Sequence, residues 1–332
     1  MHRSRGLGFI VCSVVAVAAG LGLHTGRTEA SSVTPEARTF RFTYSVAVEE
    51  IPRGAHELSI WVPLPTTDRR QVVRNLEVTA PMEYSITREN EYGNSVLYLS
   101  AQAPLPPNLD LKFEALIERQ AFNVLSEEKR GAGSRGPAPH DLEPHKLVPI
   151  DDVIAELARA TTAGATTQLD KARAIYDYVT DTMSYDKSGD GWGRGDALYA
   201  CDARTGNCTD FHSLIIGMAR ASGIPARFVM GFPLPENGVE GEIPGYHCWA
   251  EMYIDDIGWL PVDSSEASKR PEKRDAFFGG LDANRVQFTE GRDLQLPQAS
   301  DVVNYFVYPH VELDGVEYSE VKSRFSVLDV QQ

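Results

Sequence analysis

Positive charge is in short supply in this chain. Its 332 residues carry 32 Lys and Arg against 47 Asp and Glu, a formal net charge of −15, and the acidic excess runs along the whole length. Nucleic-acid binding needs a basic face, and none is found. DNA and RNA are therefore poor partners, and an anionic membrane surface is an equally poor one. Cysteine is also scarce, with four residues in all and no Cys-x-x-Cys pair, which removes the commonest zinc and dithiol frameworks. Internal repeats and calcium-loop signatures are absent too. The acidity therefore does not imply a metal, and no cofactor is expected.

What is present begins at the N-terminus. Arg3 and Arg5 precede an uncharged run over residues 6–23, and Thr28-Glu29-Ala30 supplies small residues at a cleavage position. This is the grammar of a secretory signal peptide over residues 1–30, with Cys12 inside it. An uncleaved anchor is the alternative, because the run is about long enough to span a bilayer. The expectation is an exported protein, periplasmic or secreted, touching a membrane only through this segment if it is retained. Removal of the signal leaves Cys201, Cys208 and Cys248. Disulfides persist outside the cytoplasm and three is an odd number. The economical arrangement is a Cys201–Cys248 bridge with Cys208 free, while a Cys201–Cys208 bridge that silences Cys208 stays open.

Residues 38–125 read as a β-sandwich-like domain. Short stretches at 40–48, 57–62, 95–99 and 109–115 alternate bulky with small or polar side chains, with Pro, Gly and Asn between them. Residues 126–150, rich in Gly, Pro, Ser and charge, read as a linker or long surface loop. Helical signals open the next segment, 151–270. Thr167 and Asp170 form a capping-box pattern, and Ala172, Ile175, Val179 and Met183 recur at helical spacing. A second helix starts near Cys208, with Phe211, Leu214, Ile215, Met218 and Ala219 as one apolar stripe. Gly223 is its stop signal, and Pro225 follows. Strands follow, joined around Asp256-Ile257-Gly258. Residues 271–332 read as a β-rich extension packed on this core, with a hairpin signal at Asp314-Gly315.

The chemistry gathers at Cys208, which follows Gly206-Asn207 at the start of that helix. Unpaired N–H groups and the dipole at a helix N-terminus stabilise an anion and lower a thiol's pKa, and the thiolate is the nucleophile. The Cys208 amide is an oxyanion donor in the same place. His247 and Asp263 follow in chain order, as base and orienter of that base. A three-residue hairpin loop ending at Gly258 pairs Asp255 with Trp259 and sets Asp263 opposite Glu251. That puts Asp263 on the face of His247 but about 13 Å along the strand. Asp263 also has the position of a helix cap for Ser264-Ser265-Glu266. Cys208, His212, His247 and Cys248 are a zinc alternative, weakened because His247 and Cys248 are strand neighbours with opposite faces. His212 reads as a support on the buried side of its helix, Asp210 as a partner of the helix dipole, and residues 233–244 as a solvated loop.

The ordered series Gly206-x-Cys208-x-Asp210-Phe211, then Arg220 through Arg227, Gly231-Phe232, His247-x-Trp249-x-Glu251 and Gly258-Trp259-x-Pro261-x-Asp263 resembles the transglutaminase-like superfamily. The resemblance spans roughly residues 165–268. It implies an α+β fold: a papain-like core, with the Cys208 helix against an antiparallel sheet bearing His247 and Asp263, preceded by a β-sandwich. It also implies acyl transfer through a Cys208 thioester. A second oxyanion donor is not assigned. Trp192, Tyr199 and Asn207 are candidates, and Trp249 is a further residue expected to line the site. No metal is implied. The substrate expected is a protein or peptide amide, with hydrolysis favoured over cross-linking because water is the default acceptor. A non-catalytic binding or assembly protein on the same core is the alternative. Oligomeric state is not legible.

Overall fold

The computed structural model describes residues 36–127, 135–236 and 240–330; the expected signal peptide lies outside the described residues. Period-two alternation does build the N-terminal sheets. In Ala37–Val48 and Leu109–Gln120 every second side chain is buried, and these strands pair antiparallel over their full length, Tyr44 opposite Phe113. They form the middle of one five-stranded sheet. Its order is Glu240–Ile243, Val321–Asp329, Ala37–Val48, Leu109–Gln120, Gln71–Thr79. A second five-stranded sheet runs Val316–Glu317, His310–Leu313, Glu57–Pro63, Ser95–Gln102, Tyr84–Arg88.

Three of these strands come from the C-terminus, and one comes from the expected loop at 233–244. The β-rich residues 271–332 therefore do not form an extension of the core alone. Arg285–Glu290 joins the core sheet, whereas His310–Leu313 and Val321–Asp329 fill positions beside Glu57–Pro63 and Ala37–Val48. Their alternation declares them strands but carries no information about which edge they pair with. Asp314 and Gly315 take the positive φ values, 51° and 77°, that a tight hairpin turn demands. Glu240–Ile243 is likewise a paired strand rather than a solvated loop.

The core is a four-stranded antiparallel sheet, in the order Gly258–Val262, His247–Ile254, Ala226–Pro233, Arg285–Glu290, with five helices. Helix α1 (Asp152–Thr161) is capped by Asp151, whose side chain accepts from Ile154 N at 3.0 Å. Helix α2 (Gln168–Thr182) carries the expected capping box, with Thr167 and Asp170 each accepting the other's amide at 3.0 and 3.1 Å. Helix α3 (Ala197–Ala203) is short, and α5 (Ser264–Lys269) follows the last core strand. Helix α4 (Cys208–Ala221) is buried all round through Arg220, not on one stripe. Its outer side is covered by α1, α3 and by part of the expected linker. Val148 and Ile154 lie within 3.4 Å of where a Cβ on Gly217 would stand, and Arg220 donates to the Glu143 carbonyl at 2.5 Å. Gly223, at φ 77°, ends the helix as expected.

The sandwich and the core share one apolar interior. Phe232 of the core sheet lies 5.5 Å from Phe42 and 4.4 Å from Phe325, and 5.0 Å from Phe288. Such ring pairs contribute about 0.5–1.5 kcal/mol each beyond their buried area. Gly231 sits where the pairing with Arg285–Glu290 shifts register. A Cβ there would collide with the Val286 carbonyl, so only glycine lets that strand come close enough to bring Arg285 to the core.

Candidate active site

Asn207 and Asp210 organise the start of α4. Asn207 Oδ1 accepts from Thr209 N at 2.9 Å, and Asp210 Oδ2 accepts from Asn207 N at 3.0 Å. Asp210 does more than complement the dipole. Its two oxygens also take Gly193 N at 2.7 Å and Gly195 N at 3.0 Å, so one carboxylate folds the Gly-rich approach onto the helix that carries Cys208. Gly206, at φ 148°, allows this, because a Cβ there would overlap the Asp210 carboxylate. Burial raises the Asp210 pKa, and the three amide bonds oppose that rise. Asp210→Ala strands three donors at once. Hydrogen bonds to charged groups contribute about 1.5–3 kcal/mol each and do not add fully, so a loss near 3 kcal/mol is expected in urea unfolding, with faster tryptic cleavage at Lys187 and Arg194. Unchanged proteolysis of that segment would show that Asp210 does not hold it.

Cys208 is the first residue of α4 and only 2% exposed. Its amide is among the N–H groups that no helical carbonyl takes. Burial pushes its thiol pKa up, but hydrogen bonds from Cys248 and His247 and the positive charge on His247 outweigh burial and hold it well below the ordinary thiol value. The His247 imidazole is bound on both sides. Its Nε2 lies 2.7 Å from Asp263 Oδ2, leaving Nδ1 for the Cys208 sulfur. Burial alone lowers the His247 pKa, yet the Asp263 carboxylate and the Cys208 sulfur raise it to about 10. Both shifts favour a thiolate beside an imidazolium.

The distance that strand counting left open closes for a specific reason. Ile254 pairs with Gly258 and Glu251 with Pro261, so the loop is 255–257, with Asp256 at φ 66°. The loop has the expected three residues but starts one residue earlier, which shifts the pairing by two residues. Asp263 leaves the strand as the N-cap of α5 and uses its two oxygens separately. Oδ1 accepts from Ser265 Oγ and Glu266 N, both at 3.1 Å, while Oδ2 faces His247. The capping role and the orienting role are therefore held together. Asp263 is fully buried, and burial raises its pKa, but His247 and Arg285 hold the carboxyl well below its usual range.

The sequence assigns no chemistry to Arg285, yet it is 2% exposed and donates to Asp263 Oδ2 at 2.9 Å and to Asp282 Oδ1 at 3.2 Å. It also stands over the Trp249 ring, 5.2 Å from the centroid, and Trp249 lies behind His247 at 6.4 Å between rings. His212 approaches the same carboxylate, Nε2 to Oδ1 at 3.6 Å, and burial lowers its pKa to about 4, so it is neutral. The Cys201–Cys248 bridge does not form, and all three described cysteines are free. Cys201 lies half-buried on α3. Cys248 is buried against Cys208 and against His212 Nδ1 at 3.6 Å. Burial and the neighbouring Cys208 sulfur raise its pKa, so it stays a thiol and donates to the thiolate. Cys208, His212, His247 and Cys248 do converge. Among the described residues, however, no group of three or more His, Cys, Asp or Glu is arranged to hold a metal.

The remaining candidates have other duties. Trp192 Nε1 donates to the Gly189 carbonyl at 3.1 Å, and Asn207 Nδ2 donates to Tyr246 Oη at 2.9 Å. Tyr199 packs against Gly191, where a Cβ would meet its ring. Tyr246, which sequence reasoning passed over, forms an aromatic group with Tyr305 and Tyr308, each at 5.8 Å. Tyr305 Oη donates to the Gly193 carbonyl at 3.1 Å, tying this group to the Gly-rich approach.

Residues 155–264 match the model of the transglutaminase-like superfamily. An uncharacterized protein of Haemophilus influenzae is 27% identical over 350 residues, covering 91% of this chain and 93% of its own. Bacillus subtilis YebA, also uncharacterized, is 26% identical over 136 residues, 37% of this chain and 18% of its own. The crystal structure of a proposed cysteine protease from Cytophaga hutchinsonii superposes with a TM-score of 0.60 at 18% identity, over 90% of this chain and 93% of that one. At that identity the likeness establishes the shared fold.

Proposed function

Because the chain carries a transglutaminase-like core, we propose that it is an exported cysteine acyl-transfer enzyme that hydrolyses peptide or side-chain amides. The observation that carries this reading is the 2.7 Å bond from His247 to Asp263 beside a sulfur whose pKa is held down. The Cys208 thiolate attacks the amide carbonyl, and the Cys208 amide takes the developing oxyanion. The His247 imidazolium gives its proton to the leaving amine, forming the thioester. Neutral His247 then removes a proton from water, which displaces Cys208. Asp263 keeps the ring oriented and compensates its charge throughout. Water is the acceptor favoured here, as no feature of the chain marks an amine site. The likeness to a proposed cysteine protease agrees with hydrolysis.

One observation favours the non-catalytic alternative, a binding or assembly protein on the same core. Cys208 is only 2% exposed, so a substrate reaches the sulfur only if the side chains that cover it give way. The test is to incubate the chain lacking residues 1–30 with denatured casein, with and without a primary amine, and to measure new amines, released ammonia and the acid-quenched mass of the enzyme. An acyl adduct on Cys208, lost in Cys208→Ala, with more product from water than from amine is the expected result. No adduct and no amide cleavage with casein or with isopeptide substrates would favour the binding protein.

A further inference from the structure

Arg119 occupies a position that the alternation of its own strand assigns to an apolar residue. In Leu109–Gln120 the inward side chains are Leu109, Leu111, Phe113, Ala115, Ile117 and then Arg119. The guanidinium is 1% exposed, and its Nε and Nη1 atoms are buried without a hydrogen-bond partner. An unpaired buried ion costs several kcal/mol, and a sequence that merely needed to fill this site would place Leu or Met there.

The guanidinium lines a cavity of about 340 Å³ between the sandwich and the core sheet, whose walls also carry the cations Arg70 and Arg227, the rings of Phe122 and Trp259, and the carboxylates Asp68, Glu251 and Glu290. Its cations are not equivalent. Arg227 is neutralised by Glu251 at 2.7 Å and Glu290 at 2.5 Å, and Arg70 by Glu127. Among the described residues Arg119 has no carboxylate at ion-pair distance. Burial lowers its pKa to about 10, Asp68, Glu251 and Asp282 act on it from farther away, and Arg285 adds a second positive charge nearby. It therefore keeps its charge at neutral pH. Flat apolar walls flank the charges, with Phe122 4.6 Å from the Arg70 guanidinium and 5.8 Å from that of Arg119, and Trp259 4.1 Å from that of Arg227.

We propose that this cavity is a binding site for a small ligand bearing a carboxylate or phosphate group, which Arg119 pairs. A volume near 340 Å³ is at the lower end of small-molecule pockets and suits an amino-acid-sized or sugar-phosphate-sized molecule. Guanidinium groups match the planar carboxylate and the phosphate oxygens alike. The site is separate from Cys208 and does not depend on the reading of its chemistry.

The probes are succinate and inorganic phosphate, each titrated into the chain lacking residues 1–30 against sodium chloride at matched ionic strength. At a 100-fold excess over Kd a bound anion raises Tm by about 5 °C for a chain of this size. The expected result is such a rise with one of the two anions, which identifies the group recognised. Arg119→Met keeps the length and apolar stem, and is expected to remove the rise while leaving the free protein at least as stable as before. Calorimetric titration is expected to show the same loss, with affinity at least 10-fold weaker. If neither anion shifts Tm beyond the chloride control, the cavity holds water alone and the proposal fails. An equal shift in Arg119→Met overturns it as well.

Discussion

Iodoacetamide is expected to alkylate Cys208 at a nearly constant rate from pH 6 to pH 9 in the native protein, and at pH 6 that rate is expected to fall by at least about 100-fold in His247→Ala. The plateau follows from two shifts of opposite sign. The thiol pKa is pulled well below its ordinary value and the imidazole pKa is raised to about 10, so the ion pair persists across the whole interval. An ordinary thiol with pKa about 8.5 is only about 0.3% thiolate at pH 6. Without His247 the thiol keeps the burial that raises its pKa and loses the charge that lowers it, so the drop is no smaller than this comparison implies. A rate that rises tenfold per pH unit between 6 and 8 in the native protein, as a free thiol's does, would falsify the ion pair.

His247 and Asp263, taken singly, also have stability signatures. A histidine whose folded pKa lies above its unfolded value contributes stability that is complete below about pH 6.5 and is lost as pH rises toward 10. Asp263 has the opposite sign: its contribution is present above about pH 4 and is lost as pH falls through its depressed folded value. In the folded protein itself the network stays charged from the depressed value of Asp263 up to about pH 10.

What the sequence made legible was local. The helix start at Cys208, the Thr167–Asp170 capping box, the Gly223 stop and the strands of the sandwich all follow from a few neighbouring residues, and each has a physical cause that acts over one turn or one hairpin. The Cys208–His247–Asp263 constellation was legible because motifs mark each member. Its geometry was not, since a two-residue change of register around Asp256 moves Asp263 about 7 Å along the strand. The partners that complete the site come from farther away. Arg285 meets Asp263 only because Gly231 admits a neighbouring strand, and no spacing rule links positions 22 apart. Cys248 was misassigned because counting thiols says nothing about where they point. The C-terminal strands show the same limit: periodicity identifies a strand, and only the closed fold shows that its place is in a sheet begun nearly three hundred residues earlier.

Arg285→Met is expected to lower the unfolding free energy by about 3–5 kcal/mol at pH 7, the usual cost of removing one partner from a buried ion pair. Asp263 is fully buried and Arg285 is 2% exposed, so solvent cannot replace the lost charge. Methionine has a similar length, which confines the change to the guanidinium. Asp263 keeps His247, Ser265 and Glu266 as donors, so the ring stays oriented and alkylation of Cys208 at pH 6 is expected to change by less than about tenfold. The stability loss and the chemistry thus separate in one variant. The pH dependence supplies a second check. Asp263 and Asp282 both have depressed pKa values in the presence of Arg285, so the advantage of the native protein exists only while they are ionised in the folded state. Urea unfolding at pH 7 and at successively lower pH below 4 is therefore expected to show the gap between native and variant narrowing as the carboxylates take up protons. A gap that is small at pH 7, or that is unchanged in acid, would mean that Arg285 contributes through its packing on the Trp249 and Phe277 rings, 5.2 and 5.8 Å from its guanidinium, rather than through its charge.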